Sequence, residues 1–315
     1  MVDRGPVTSL FGRILVPLDG SEAAEAVIYQ AERLLCGRKG DVLLFHAWDP
    51  DAPAFESPEA ADAYLKRVQD RLRQAGAQSV RRVIRTGLTT RTLPETLDSE
   101  KVSLVALASH GRETSPREAV ADVVEEVLKA SSVPLFVARS FRPGTAGDPV
   151  PSECEAPSIC RILVPLDGSS ACEAVMPYAR ELGRLLGARI IILHVSSELS
   201  AEPGNFWGRN VSGEPLGPAP GEDATPEQRI EFAARTFSSA GLETLALNVG
   251  GEPIQAILDF ARPSAVDLIA MTTHGRTGLS KLLMGSVAQN VLREALLPTL
   301  LVRSDALGAA GCSTP

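Results

Sequence analysis

The sequence contains an internal repeat, and this repeat limits the possible folds more than any single motif does. The segment Arg13–Ser21, which reads RILVPLDGS, recurs without change as Arg161–Ser169. Further along, Ser109–Arg112 (SHGR) returns as Thr273–Arg276 (THGR). The second pair is spaced more widely than the first, so the second half carries an insertion. Two halves of this length match two domains of ordinary size that are built on one plan.

Each half alternates short apolar segments with segments of helical periodicity. This alternation predicts βαβ units, and therefore a doubly wound α/β domain with a five-stranded parallel sheet in each half. The predicted boundaries are residues 1–140 for the first domain, 141–158 for a linker, 159–304 for the second domain and 305–315 for a disordered tail. The Gly- and Pro-rich insertion at Ser196–Ala224 is either a flap over a site or a tolerated loop.

The composition argues against several classes of partner. The chain has a formal net charge of -8, so it lacks the broad basic surface with which proteins bind nucleic acid. No apolar run reaches the roughly 18–20 residues that a membrane span needs, and the first residues lack the apolar core of a signal peptide. The five cysteines form no C-x-x-C pair, which argues against a metal site. We therefore expect a cytoplasmic protein that binds neither nucleic acid nor membranes.

The stretch Met271–Val287 reads MTTHGRTGLSKLLMGSV and holds the strongest indication of a site. An apolar strand leads into it, glycines follow, and an apolar helical period begins after Ser286. Glycine lets backbone N–H groups approach an anion, and the start of a helix adds unpaired N–H groups and a positive dipole end. The layout of strand, glycine loop and helix start therefore predicts a phosphate-binding loop.

Other candidate site residues are expected at the same edge of the second sheet. Ligands of open α/β sheets lie beyond the carboxyl ends of the strands, where the winding direction reverses. Asp167 closes the first strand of the second half, and Val195 closes the second. The carboxylate is placed to accept hydrogen bonds from a ribose or a base, and the backbone at Val195 to meet an adenine edge. His194, like His46 in the first half, is predicted to be a hydrogen-bonded core histidine.

These segments resemble the universal stress protein family in its tandem, two-domain form. The resemblance rests on VPLDGS after the first strand, LHV in the second and HGRTGLSKLLMGSVA around the glycine stretch. It implies a Rossmann-like strand order of 3-2-1-4-5 in each sheet. Members of the family pair sheet edges across a dimer. The resemblance thus implies an intramolecular pseudo-dimer through Pro134–Ser140 and Pro298–Ser304, with or without further homodimerisation.

The resemblance also implies a ligand, which is ATP, alone or with Mg²⁺. Nucleotide-binding members carry G-x-x-G, nine residues, then G and Ser or Thr; here Gly275, Gly285 and Ser286 fit, and Thr272 replaces the first glycine. The residues that the resemblance assigns to the adenosine are Pro165, Leu166, Asp167 and Val195. Those assigned along the nucleotide are Met271, Thr272, His274 and Gly275, and those assigned to the phosphates are Gly285, Ser286 and Val287.

The first half departs from this pattern. Alignment on SHGR and THGR puts Ala121 and Asp122 where Gly285 and Ser286 stand in the second half. The loop before them contains Glu113 and no further glycine. A carboxylate at the start of a helix repels an anionic ligand, and Asp122 is placed to cap that helix itself. We predict that the first half keeps the fold and has lost triphosphate binding.

Three functions remain open from the sequence. The leading hypothesis is an ATP-binding stress-response or regulatory protein that holds the nucleotide in its second domain and acts on an unidentified protein partner. Hydrolysis would be slow at most, because Asp167 and His274 are the visible candidates for a base and no metal cluster supports them. The first alternative is a non-catalytic interaction module without nucleotide binding. The second is an adenine-nucleotide hydrolase or transferase.

Overall fold

The chain folds into two compact units. The computed structural model describes residues 10–35, 41–108, 124–125, 127–129, 131–139, 159–196, 207–211, 219–221, 223–262, 266–274 and 284–305. The first unit contains residues 1–119 and 133–154, and the second contains residues 120–132 and 155–315. Each unit carries one set of the repeated strands.

The first unit is built on five parallel strands. Its elements are β1 (Arg13–Pro17), α1 (Glu22–Leu35), β2 (Asp41–Trp48), α2 (Pro58–Gln74), β3 (Ser79–Thr86), α3 (Thr89–Ser99), β4 (Leu104–Ala108) and β5 (Leu135–Ala138). Parallel pairing of β3 with β2, β2 with β1, β1 with β4 and β4 with β5 gives the predicted order 3-2-1-4-5. The three middle residues of β1 and all of β5 are buried, as expected for strands of a parallel sheet.

The second unit repeats this order. Its elements are β6 (Arg161–Pro165), a 3₁₀ turn (Ser170–Val175), α4 (Met176–Leu186), β7 (Arg189–Ser196), β8 (Trp207–Val211), α5 (Pro226–Ser239), β9 (Thr244–Gly250), α6 (Pro253–Ala261), β10 (Leu268–Thr272), α7 (Ser286–Glu294) and β11 (Thr299–Val302). The strands β9, β7, β6, β10 and β11 pair in parallel in that sequence. The predicted doubly wound α/β class is therefore confirmed.

The insertion contributes a sixth strand to the second unit. Strand β8 pairs antiparallel with β9, so that Trp207 lies opposite Asn248 and Val211 lies opposite Thr244. The predicted sheet of five parallel strands thus gains one antiparallel edge strand. The sequence WGRNV does not have the alternating pattern that predicts a strand. It forms a strand because its backbone pairs with the open edge of β9.

Part of the first repeat packs with the second unit. In the segment 120–132, residues 124, 125 and 127–129 are helical, and Arg303 Nη1 donates a hydrogen bond to the carbonyl oxygen of Leu128 at 2.8 Å. The predicted domain boundaries and the predicted pseudo-dimer stay predictions. The predicted linker at 141–158 and residues 306–315 of the predicted tail lie outside the described residues.

Candidate functional site

A cavity of about 620 Å³ opens at the carboxyl ends of β6, β7 and β10. This volume lies within the roughly 300–1,000 Å³ that is typical of small-molecule sites. The predicted site residues that line it are Pro165, Leu166, Asp167, Val195, Met271, Thr272, His274, Gly285, Ser286 and Val287. Gly275, the other predicted residue, lies outside the described residues. The structure thus brings the described candidates to one cavity from three separate segments of the chain.

Asp167 forms one wall of the cavity, directly after β6. Its Oδ1 accepts hydrogen bonds from Ser169 N at 2.9 Å and from Ser169 Oγ at 2.7 Å. Ser169 Oγ accepts a further bond from Cys172 N at 3.4 Å, so this serine caps the 3₁₀ turn that follows. The local turn helps to fix the carboxylate at the end of the strand.

Cys172 also lines the cavity. Its side chain is 4% exposed, and its Sγ donates to the carbonyl oxygen of Ser169 at 2.9 Å. Burial, followed by the nearby Asp167 carboxylate, raises the pKa of the Cys172 thiol to about 12. The thiol therefore stays protonated at neutral pH and presents an apolar, unreactive surface to the cavity.

His194 is buried at the floor of the cavity. Its side chain is 5% exposed, and its Nδ1 donates to the carbonyl oxygen of Leu166 at 2.8 Å. This bond requires the proton on Nδ1, so a neutral imidazole carries its lone pair on Nε2. The prediction of a hydrogen-bonded core histidine is confirmed, both here and at His46, where Nδ1 lies 2.7 Å from the carbonyl oxygen of Leu18.

The start of α7 forms the opposite wall. Gly285 precedes the helix in an extended conformation, and its N donates to the carbonyl oxygen of Thr273 at 2.7 Å. A Cβ at Gly285 would lie 3.2 Å from that same oxygen, so a side chain is accommodated only if the backbone moves. Glycine offers no side-chain oxygen to cap the helix. The first N–H groups of α7, from Ser286 onward, therefore face the cavity with their positive dipole end, which is suited to an anion.

The segment between β10 and α7 supplies a further polar group. Thr272 Oγ1 donates to the carbonyl oxygen of His274 at 2.8 Å, so the residue that replaces the first glycine uses its hydroxyl within the loop. Thr273 Oγ1 lies 3.2 Å from His274 Nδ1. His274 Nε2 is buried and makes no hydrogen bond. Since an unsatisfied buried polar atom is costly, the position of His274 in the cavity wall suits a polar ligand.

The N-terminus of α5 also lines the cavity, and the sequence reasoning did not include it among the site residues. The residues concerned are Thr225, Pro226 and Glu227. Thr225 and Gln228 form a capping box that starts the helix, a T-x-x-Q pattern that the sequence displays. Its location over β6 depends on Gly168, where a Cβ would lie 2.5 Å from Pro226 Cβ. No local sequence pattern indicates this contact between distant residues, so the position of the helix N-terminus could not be predicted.

The charged side chains known to line the cavity, Asp167 and Glu227, are both acidic. The phosphate charge of an anionic ligand would therefore meet backbone N–H groups at α7 rather than a described lysine or arginine. Within the described ranges, no three His, Cys, Asp or Glu side chains gather as a metal ion would require. The helices in the described part of the chain also lack the combination of length and hydropathy that a membrane-spanning segment has.

The comparisons with known proteins agree with the repeat. Residues 10–139 and 159–303 each match the model of the universal stress protein family. A universal stress protein of Mycolicibacterium smegmatis is 24% identical over 313 residues, which cover 92% of this chain and 96% of the relative. One of Thermus aquaticus is 31% identical over 147 residues, which cover 45% of this chain and 97% of the relative.

Solved structures share the fold. The crystal structure of a universal stress protein from Archaeoglobus fulgidus superposes with a TM-score of 0.59 at 19% sequence identity and covers 92% of this chain and 96% of its own. A Pseudomonas aeruginosa universal stress protein gives a TM-score of 0.61 at 19% sequence identity, and the superposition covers 95% of this chain and 96% of that protein. At these identities the likeness concerns the fold alone.

Proposed function

This chain belongs to the universal stress protein family, and from that premise we propose that its second unit binds an adenine nucleotide, ATP, as a stress-response or regulatory protein. The first unit keeps the fold without this ligand. The nucleotide state of the second unit would then be the signal that a protein partner reads.

One observation carries the proposal: a fixed carboxylate and an uncapped helix start line the same cavity. Asp167 lies at the end of β6, and Gly285 and Ser286 lie at the start of α7. A hydrogen-bond acceptor on one wall and donors with a positive dipole end on the other match a ligand that has hydroxyl groups at one end and phosphates at the other. ATP has this polarity.

Each wall has a defined part in binding. Asp167 accepts hydrogen bonds from the ribose hydroxyls, and the backbone at Val195 meets the adenine edge. The N–H groups of Ser286 and Val287 donate to phosphate oxygens, and His274 Nε2 adds a polar contact between the two ends. Mg²⁺, when it accompanies the nucleotide, neutralises part of the phosphate charge in a cavity whose known charged side chains are acidic.

We propose binding rather than rapid turnover. A hydrolytic site needs a group that activates water beside the reacting phosphate. His194 uses Nδ1 to hold the carbonyl oxygen of Leu166, and Asp167 uses one oxygen to hold Ser169. In the proposed pose His194 and Asp167 lie with the adenine and the ribose, away from the phosphates, and His274 contacts the ligand between its two ends. None of them is placed to activate water beside the terminal phosphate, so hydrolysis is slow at most.

Isothermal titration with ATP, with and without Mg²⁺, tests the proposal. The wild-type chain is expected to bind one nucleotide per chain. Gly285→Asp places a carboxylate at the helix start and a Cβ 3.2 Å from the carbonyl oxygen of Thr273. We expect this variant to weaken binding by at least about 100-fold, or about 2.7 kcal/mol.

Gly221→Asp is the matched control, because Gly221 is exposed and has open space around its Cβ position. It adds the same charge and should leave the affinity unchanged, while circular dichroism checks that both variants fold. Equal ATP affinity in Gly285→Asp and in the wild type would refute the phosphate site. A wild-type chain that does not bind ATP would refute the proposal itself.

A second function is favoured by one residue. Thr272 is 7% exposed, and its hydroxyl donates a hydrogen bond within the loop. It stands where the nucleotide-binding pattern of the family has its first glycine. A family member without nucleotide would act as a non-catalytic interaction module. The same titration separates the two functions, since this module would show no heat with ATP.

A further inference from the structure

The first unit has an aromatic ring at the carboxyl ends of β1 and β2. The loop between β2 and α2 carries Phe55, whose ring packs onto Gly20 so closely that a Cβ there would lie 2.4 Å from Phe55 Cζ. Gly20 occupies the same place in the repeat as Gly168, which lies beside the cavity of the second unit. Phe55 therefore stands at the edge of the first unit's sheet that corresponds to the cavity.

The ring is held on several sides. The centroid of Phe55 lies 5.0 Å from that of His46 at an interplanar angle of 80°, and 5.2 Å from that of Tyr64 at 31°. Both distances fall in the range of favourable aromatic pairs, which stabilise beyond the burial of apolar area. Trp48 Nε1 donates to the carbonyl oxygen of Phe55 at 3.1 Å, which fastens the loop to the end of β2.

The neighbours of this ring correspond to residues that line the cavity of the second unit. His46 matches His194 in the repeat, and His194 is a cavity-lining residue. In the second unit Pro226 covers the equivalent glycine. In the first unit the larger ring covers the glycine and also reaches the histidine, where the second unit leaves room for a ligand.

We propose that the first unit contains a second site for a planar aromatic group and that Phe55 of the same chain is its resident occupant. The class of the replaceable ligand, an uncharged nucleoside, rests on the function proposed for the second unit. Phe55 thereby keeps a free aromatic ligand out of the first unit. A ring that belongs to the chain loses no translational freedom on binding, so it outcompetes a free ligand at ordinary concentrations.

The charges around this site favour a nucleoside over a nucleotide. Burial, followed by the Glu25 and Asp19 carboxylates, raises the pKa of Tyr64. Glu25 therefore lies close to the aromatic cluster and would repel phosphate groups. Its counterpart in the second unit, Glu173, forms an ion pair with Arg229 at 2.8 Å that offsets its charge. Adenosine is accordingly the probe for this site, and ATP is expected to bind there more weakly than adenosine does.

The test uses the full chain with the second unit silenced by Gly285→Asp together with Asp167→Asn, so that its proposed phosphate and ribose contacts are both removed. Adenosine is titrated calorimetrically into this variant and into the same variant with Phe55→Ala or Phe55→Leu. We expect the Phe55→Ala form to bind one adenosine per chain. Its affinity should be about tenfold higher than that of the silenced parent variant or of the Phe55→Leu form. Leucine is the matched control because it keeps apolar volume in the place of the ring.

Thermal unfolding gives a second, independent measurement. On the same background, adenosine should raise the unfolding midpoint of Phe55→Ala and leave that of Phe260→Ala, a half-buried phenylalanine in α6, unchanged. If Phe55→Ala does not fold, Phe55→Val takes its place in both measurements. A folded variant that shows neither adenosine binding nor adenosine-dependent stabilisation overturns the proposal. The two proposals can fail separately. A wild-type chain that does not bind ATP would refute the function proposed for the second unit, whereas adenosine binding to the first unit is measured in variants whose second unit is silenced.

Discussion

The two units share one turn and differ in what lies above it. In the first, Asp19 Oδ1 accepts hydrogen bonds from Ser21 N at 2.9 Å and Ser21 Oγ at 2.6 Å. The second repeats this arrangement at Asp167 and Ser169 within 0.1 Å, at 2.9 and 2.7 Å. The repeated VPLDGS motif is therefore a structural turn that both units need. In the first unit the ring of Phe55 covers this turn, whereas in the second unit the turn borders the cavity.

The larger effect in this comparison of the two turns is expected at the matched aspartates. Asp167→Asn should weaken ATP binding by about tenfold or more, since a hydrogen bond to a charged group contributes about 1.5–3 kcal/mol. Asp19→Asn, in a turn of the same geometry, should leave the affinity unchanged. Asparagine keeps an oxygen for the Ser169 and Ser21 bonds, so both variants should fold. Calorimetric titration measures the ATP affinity of both variants. An equal loss of affinity in the two would contradict the claim that only the second unit binds ATP.

A smaller effect is expected where the first two strands of each unit begin. In the first unit Arg13 is paired in register with Asp41, and Arg13 Nη2 lies 3.0 Å from Asp41 Oδ2. In the second unit the same register pairs Arg161 with Arg189. Asp41→Asn should therefore lower the free energy of unfolding by about 0.5–1 kcal/mol at pH 7, the usual size for a partly exposed ion pair.

This loss should depend on pH. Hydrogen bonds from Ser79 and then from Arg13 lower the pKa of Asp41 below its usual value of 3.8. The stabilisation is fully present above the unfolded pKa and is lost as the pH falls through the lower folded pKa. Denaturant unfolding at pH 7 and below pH 3.8 measures it. A difference between wild type and Asp41→Asn that persists unchanged at the lowest pH would contradict the ion pair.

Much of the fold could be predicted from the sequence, because strands of a parallel sheet are continuous apolar runs and the repeat marks them twice. Local chemistry explains one departure. The helical period after Ser170 predicts one continuous helix, but the structure has a 3₁₀ turn and begins α4 at Met176. Pro177 has no N–H and clashes with the carbonyl four residues earlier, so an α-helix starts at that point rather than running through it.

Some residues of the candidate site have local sequence signals, and others are placed by contacts between distant parts of the chain. Asp167, Gly285 and Ser286 could be predicted because strand ends and helix starts have local signals. The α5 N-terminus at Pro226 and the ring of Phe55 could not be, because each reaches its glycine through a contact between distant parts of the chain. Ala121 and Asp122, the predicted cause of lost ligand binding in the first half, lie outside the described residues, so that prediction stays untested.

Hydrogen exchange with and without ATP tests most directly that the second unit alone holds the nucleotide. At a ligand concentration of about 100 times the dissociation constant, binding stabilises the bound state by about 2.7 kcal/mol. We predict slower exchange at the ends of β6, β7 and β10 and at the start of α7, with β1, β2 and β4 unchanged. Equal protection in both units, or protection confined to the first, would contradict the central claim.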